Sequence, residues 1–186
     1  MSYANTFGPN GFKPLMGDAI KSAKTIRRPV LANRAKTASA TESTLSKWDA
    51  YTLDANGNAL HAGPNDVVYG IVLAIELEAV PSVMNGQGPV SVDQLLITMA
   101  GAIIGIEDPA VYFEVQTDTF ATTNENGLYN LVDALANTLF RQSQQSLGVA
   151  GGPGFQFRAI DIVNRPTDNA YGQYARAMVK LSQATS

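Results

Sequence analysis

Apolar and polar residues alternate through 111–118, VYFEVQTD, with Val111, Phe113 and Val115 on one face and Tyr112, Glu114 and Gln116 on the other. Alternation of period two, carried by β-branched and aromatic residues, predicts a half-buried strand. Glu107-Asp108-Pro109 marks a stop just before it. The strongest apolar segments lie just upstream and near the C-terminus, which places this strand mid-sheet.

Residues 49–53 predict a short strand, Asp54-Ala55-Asn56-Gly57-Asn58 a turn suited to positive φ, and 59–62 a second short strand. Gly63-Pro64-Asn65-Asp66 turns again. Residues 67–78, VVYGIVLAIELE, predict a long strand, buried on both faces at its start and half-exposed where Ile75 and Leu77 alternate with Glu76 and Glu78. Gly70 within it marks a bulge or a close backbone approach. Residues 81–89 form a loop. Residues 92–106 predict one or two strands with a kink at Ala100-Gly101, and periodicity alone leaves a buried helix open there.

After the polar loop 119–126, Leu128, Leu131, Val132, Leu135 and Leu139 fall at helical spacing. They predict a short helix over 128–140, with Asn126 as its cap and Gly148 beyond its end. Gly151-Gly152-Pro153-Gly154 is a flexible connector. Residues 155–163 and 174–181 predict two further strands around a wide turn, 164–169. The fold class expected is mainly β: a small β-barrel or β-sandwich domain with an extended N-terminal arm and one short helix.

Charge divides the chain. Residues 1–47 hold eight basic and two acidic residues, net +6, and 48–186 hold five basic and fourteen acidic, net −9. The expected organisation is a basic extended arm, 1–47, and a β-rich domain, 48–186. Two readings of the arm stay open: a segment that orders on an acidic partner, or a strand-and-loop entry into the domain. Phe7, Phe12, Lys13, Lys21, Lys24, Arg27, Arg28 and Arg34 are its candidate contact residues. The partner would be nucleic acid or an acidic protein surface, another copy of the domain included.

The 186 residues, 45% hydrophobic, suffice for one domain with a real core. Without cysteine there are no disulfides or thiolate metal sites, and a single histidine argues against a histidine metal cage. The opening MSYANTFGPNGFKPLMG carries no apolar core of signal-peptide length. The most apolar stretch, 95–106, is shorter than the roughly 18 residues of a membrane helix. No membrane role is expected.

The sequence carries few groupings that suit catalysis. His61 sits beside a turn with no local group to orient it as a base, so an exposed or hydrogen-bonded loop histidine is the simpler reading. Glu107-Asp108 and the pair Glu76 and Glu78 read as solvated acids. Asp54-Ala55-Asn56-Gly57-Asn58 lacks the closing Glu of a calcium loop. Gly151-Gly152-Pro153-Gly154 is followed by no Lys-Ser/Thr, and Pro153 removes a donor, so it is no phosphate loop. The aromatics of the arm precede its basic cluster rather than interleaving with it, which makes nucleic-acid binding the second choice.

Several stretches resemble the capsid decoration, or cement, proteins of tailed bacteriophages. Asn10-Gly11-Phe12-Lys13-Pro14 resembles the family's Gly-Phe-Arg-Pro opening, and 47–53, KWDAYTL, its Gly-Asp-Pro-Val strand, with Trp48 where Gly is usual. Residues 68–76, VYGIVLAIE, resemble its Val-x-Gly-Val-Val segment. EDPAVYFEVQTD at 107–118 resembles Asp-Asp-Pro followed by Val-Phe-Glu-Val-Gln. AIDIVNRPTDNAYG at 159–172 resembles the closing Leu-Gly-Leu-Val-Asp-Arg-Pro-Asn-Glu-Gly. Arg141-Gln142-Ser143 stands where the family has Gly-Arg-Ser, here after a helical pattern, and 21–47 has no match. The resemblance implies a virion structural protein, made in the host cytoplasm, that binds the major capsid protein on the capsid's outer surface, as a homotrimer. It implies no enzyme activity, no cofactor and no small-molecule ligand.

Overall fold

The computed structural model describes residues 5, 8–15, 22–30, 45–77, 101–132, 143–148, 156–163 and 169–182. Two five-stranded sheets carry the fold. The first runs β1 (Lys13–Pro14), β7 (Phe113–Gln116), β14 (Arg176–Leu181), β12 (Phe157–Ile162) and β9 (Leu128–Tyr129). The second runs β2 (Thr25–Val30), β6 (Gly101–Ile106), β5 (Gly70–Leu77), β3 (Ala50–Leu53) and β4 (Ala59–His61). Among the described residues every ladder is antiparallel, including two short ones that pair β10 (Leu131–Val132) with β11 (Ser146–Leu147), and β8 (Thr119–Phe120) with β13 (Gly172–Gln173).

One core fills the space between the sheets. Phe12, Phe113, Val115, Phe157, Ala177 and Val179 from the first sheet and its lead-in meet Ala50, Ile71 and Ile106 from the second. The result is mainly β and sandwich-like. On its other face the second sheet gathers Tyr51, Ala59, Val72 and Ile103, with Val30, Leu45 and Leu53 against them. That sheet curls strongly. Its edge strands β2 and β4 approach within 8 Å at Cα, yet they share no ladder, so the barrel is not closed.

Residues 111–118 take the expected place, with β7 between β1 and β14. Val111, Phe113 and Val115 are buried. The strand is not half-buried, however, because Glu114 and Gln116 are buried too. Gln116 Oε1 accepts the Gly8 N–H at 2.9 Å, and Glu114 takes the Arg176 guanidinium at 3.0 Å, so the polar face is covered by the chain's own lead-in and by β14.

The helix expected over 128–140 is overturned at its start. Leu128–Tyr129 pairs with Phe157 and Arg158, and Leu131–Val132 pairs with Leu147 and Ser146. Asn130 separates two extended dipeptides, and the Leu131 N–H goes to the buried side chain of Gln156 at 2.7 Å. Ladder bonds to residues distant in sequence outweigh a local spacing that fits either structure. Residues 133–140 lie outside the described residues. The described helical element is a 3-10 turn, Thr122–Asn124.

Two bulges among the described residues each re-aim an acid. In β5 the register shifts between Val72 and Ala74, so Leu73 is the extra residue. Because side chains alternate with period two, the shift turns Glu76 onto the face of Ala102 and Ile104. In β12 the shift between Ala159 and Asp161 turns Asp161 outward beside Met178. Gly70 is therefore no bulge. It is a close approach: a Cβ there would lie 2.5 Å from the Ile106 carbonyl oxygen and 2.8 Å from the Tyr51 hydroxyl.

Candidate functional site

The candidate contact residues belong to two stretches that the structure builds into the sheets. In the first, Gly11 has φ +67, and a Cβ there would meet the Trp48 carbonyl oxygen at 2.5 Å. Glycine thus lets the chain pass Trp48, whose carbonyl accepts the Phe12 N–H at 2.9 Å. Phe12 then enters the core and is fully buried. The expectation that it forms a surface contact is corrected here: its ring stacks on Phe157 at 4.3 Å. Lys13 follows on β1 with its side chain exposed, opposite Glu114. Farther upstream, Asn5 donates to the carbonyls of Ala170 and Gln173 at 2.8 and 2.9 Å. The lead-in is thus tied to Ala170 and Gln173 at Asn5, to Gln116 at Gly8, and to the sheet edge at β1.

The second stretch is β2, the edge of the second sheet. Lys24 is exposed, and its backbone N–H donates to Asp108 Oδ2 at 3.1 Å. Arg27 meets Glu76 at 2.7 Å, both more than 40% exposed. This pair exists because the β5 bulge brings Glu76 to Arg27's face. Arg28 is more enclosed. It forks onto Glu107, Nε to Oε1 at 2.7 Å and Nη2 to Oε2 at 2.8 Å, and Tyr51 donates its hydroxyl to the same Oε1 at 2.7 Å. The Tyr51 ring reaches this position over Gly105, where a Cβ would collide with it.

Charge follows this geometry. Burial pushes Glu107 up, but the hydrogen bonds from Arg28 and Tyr51 outweigh it and hold the carboxyl below its ordinary value. Its hydrogen bonds to Glu107 raise Arg28, and burial, then its own hydrogen bond to Glu107, raises the Tyr51 hydroxyl far above its usual range. The basic stretch is thus met, at Arg27 and Arg28, by carboxylates of the chain's own domain. In 8–15 and 22–30 the chain enters the domain as strand and loop. Phe7, Lys21 and Arg34 lie outside the described residues.

His61 is no loop histidine. It ends β4 with its side chain 6% exposed, and its Nε2 lies 2.9 Å from Gln145 Nε2 and 3.9 Å from Asp49 Oδ2. Gln145, fully buried, also accepts the Ala50 N–H at 2.6 Å and donates to the Ala62 carbonyl at 3.2 Å. Since the Gln145 amide nitrogen donates, the imidazole Nε2 is an acceptor. The arrangement ties β3, β4 and residues 143–148 together. Gln156 does the same elsewhere, holding Gly63 and Asp66 carbonyls at 2.8 and 2.7 Å.

Among the described residues, no three of His, Cys, Asp and Glu are grouped to hold a metal ion, and no helix is long and apolar enough to cross a membrane. Sequence reading passed over one cationic feature, the pair Arg158 and Lys180, which face each other across β12 and β14. Their alternation with apolar residues was legible, but the register that joins them was not. Comparison with protein-family models, curated proteins and solved structures finds no match for this chain.

Proposed function

We propose that this chain is a virion structural protein that decorates and cements the outer surface of an icosahedral phage capsid, as a homotrimer bound to the major capsid protein. The observation that carries the reading is how the resembling segments meet. Lys13–Pro14 of the opening pairs with Phe113 and Glu114 of the VYFEVQTD run. Ala50 and Tyr51 of KWDAYTL pair with Ile71 and Gly70 of VYGIVLAIE. The strand that opens the closing pattern, β12, lies in the same sheet as β7, with β14 between them. Segments scattered along the sequence are thus neighbours in the fold. Trp48 adds support: it has φ +73 at the position where the resemblance puts glycine.

The reading asks for area across joints rather than chemistry. A stable interface buries about 1,200–2,000 Å² in total, and three linked copies multiply weak contacts through effective concentration. Val67, Tyr69, Ile75, Tyr112 and Tyr171 supply exposed apolar surface. The rival reading, a nucleic-acid module, draws on Arg27 and Arg28, which are engaged by Glu76 and Glu107. Two measurements test the proposal. The full chain should co-sediment with emptied, undecorated phage shells, and free it should sediment as a trimer in low and high salt. A monomer at micromolar concentration, or no retention on shells, overturns it.

A further inference from the structure

The outer face of the first sheet, covered at Glu114 and Gln116 and open at Tyr112, can be read row by row from its registers. Arg158 and Lys180 are directly opposite on β12 and β14. Val179 pairs with Phe113, so one residue on, Tyr112 stands beside Lys180. Leu15 follows, its N–H on the Tyr112 carbonyl at 2.9 Å. On the far side Leu128 pairs with Arg158. One row thus reads Leu15, Tyr112, Lys180, Arg158, Leu128 across all five strands, with Tyr112 41% exposed and Arg158 exposed. The next row brings Lys13, also exposed, beside Glu114.

Like charges directly opposite each other on a sheet destabilise it. On this same face the fold supplies Arg176 with Glu114 at 3.0 Å. Among the described residues it supplies no such partner to Arg158 or Lys180. The domain that carries them is net −9, so the two cations stand against the prevailing charge. An aromatic ring and an aliphatic side chain flank them, which suits a contact that is partly desolvated.

We propose that this row, centred on Lys180 and Arg158, docks an acidic segment of a partner protein, its carboxylates bridging the two cations while Tyr112 packs against the segment's aliphatic parts. Carboxylates between the pair convert a repulsion into two charge-assisted hydrogen bonds. Proteins rather than nucleic acid fit the row, because the cations occupy one short line with apolar ends and not a continuous basic track. The proposal stands apart from the capsid reading, since it specifies the chemistry of the partner surface and not which protein bears it.

The test uses the full chain with labelled poly-L-glutamate and, separately, an oligothymidylate of equal charge. Wild type should bind poly-L-glutamate, with affinity falling as salt rises. Lys180→Glu should lower that affinity about tenfold or more, as loss of a desolvated charge contact does. Arg27→Gln, which removes a cation already held by Glu76, should leave it unchanged. The Lys180→Glu variant also creates an opposite-charge pair with Arg158, so its melting temperature should equal or exceed that of wild type. Should it fold poorly, Arg158→Gln provides the same reading with no new charge. Equal binding by wild type and both variants overturns the proposal, as does absence of poly-L-glutamate binding. Tighter binding of oligothymidylate, lost in Lys180→Glu, assigns the row to nucleic acid and also overturns it.

Discussion

The rings of Phe12 and Phe157 lie nearly parallel, 12° apart with centroids at 4.3 Å, and both are fully buried. The contact joins the chain's lead-in to β12, a strand some 145 residues farther on, and so anchors the lead-in in the core through Phe12. Phe12→Ala should cost about 3–5 kcal/mol, the range for a large buried aromatic. Chemical denaturation would read it, and a loss below about 1 kcal/mol would place Phe12 outside the core. Limited proteolysis of wild type should likewise spare 8–15 and 22–30, whose backbone is held by ladders at 13–14 and 25–30 and by hydrogen bonds from Gly8, Phe12, Leu15 and Lys24.

The two arginines of β2 should separate in a mutational comparison. Arg27 and Glu76 are both well exposed, and exposed ion pairs contribute about 0–1 kcal/mol. Arg28→Ala instead leaves Glu107, only 9% exposed, without its fork, and should cost about 1–3 kcal/mol. Equal effects of Arg27→Ala and Arg28→Ala on the denaturation midpoint would contradict this ordering.

Acid should act through Glu107. Its folded value is held below the ordinary 4.5, so its contribution is fully present above about pH 4.5 and is lost as pH falls through the folded value. Glu107→Gln should therefore be less stable than wild type at pH 7, and the gap should narrow below pH 4.5. A gap that stays constant from pH 7 to pH 3 would mean that the charge of Glu107 contributes nothing. At the alkaline end the raised Tyr51 hydroxyl adds a loss as pH climbs above 10.

Backbone strain at Trp48 yields a comparison of two variants. At φ +73 a residue with a Cβ pays for the left-handed conformation, and glycine does not. Trp48→Gly and Trp48→Ala both remove the indole, and with it the contact that the Lys47 ammonium makes with the ring at 4.4 Å. The glycine variant should nonetheless be the more stable of the two by about 1 kcal/mol. The reverse order would show that Trp48 is not in the left-handed region.

Local sequence determined the class of this fold. Alternation at 111–118, the Asp54–Asn58 turn and the strands either side of it depend on neighbours within a few residues, and each was legible. The burial of Phe113 and Val115 was legible for the same reason. What the tertiary structure decided was every outcome set by contacts distant in sequence. Leu128 and Leu131 have spacing that suits a helix, but pairing with β12 and β11 makes them extended. Arg27 and Arg28 read as cations awaiting a partner, yet a one-residue bulge at Leu73 brings Glu76 round to one, and Glu107 at the end of β6 meets the other. Arg158 and Lys180 became neighbours only once the β12–β14 register was set. A period-two pattern tells which residues share a face of one strand, but hydrogen-bond register between strands, fixed by the packing of the whole core, decides which charges meet.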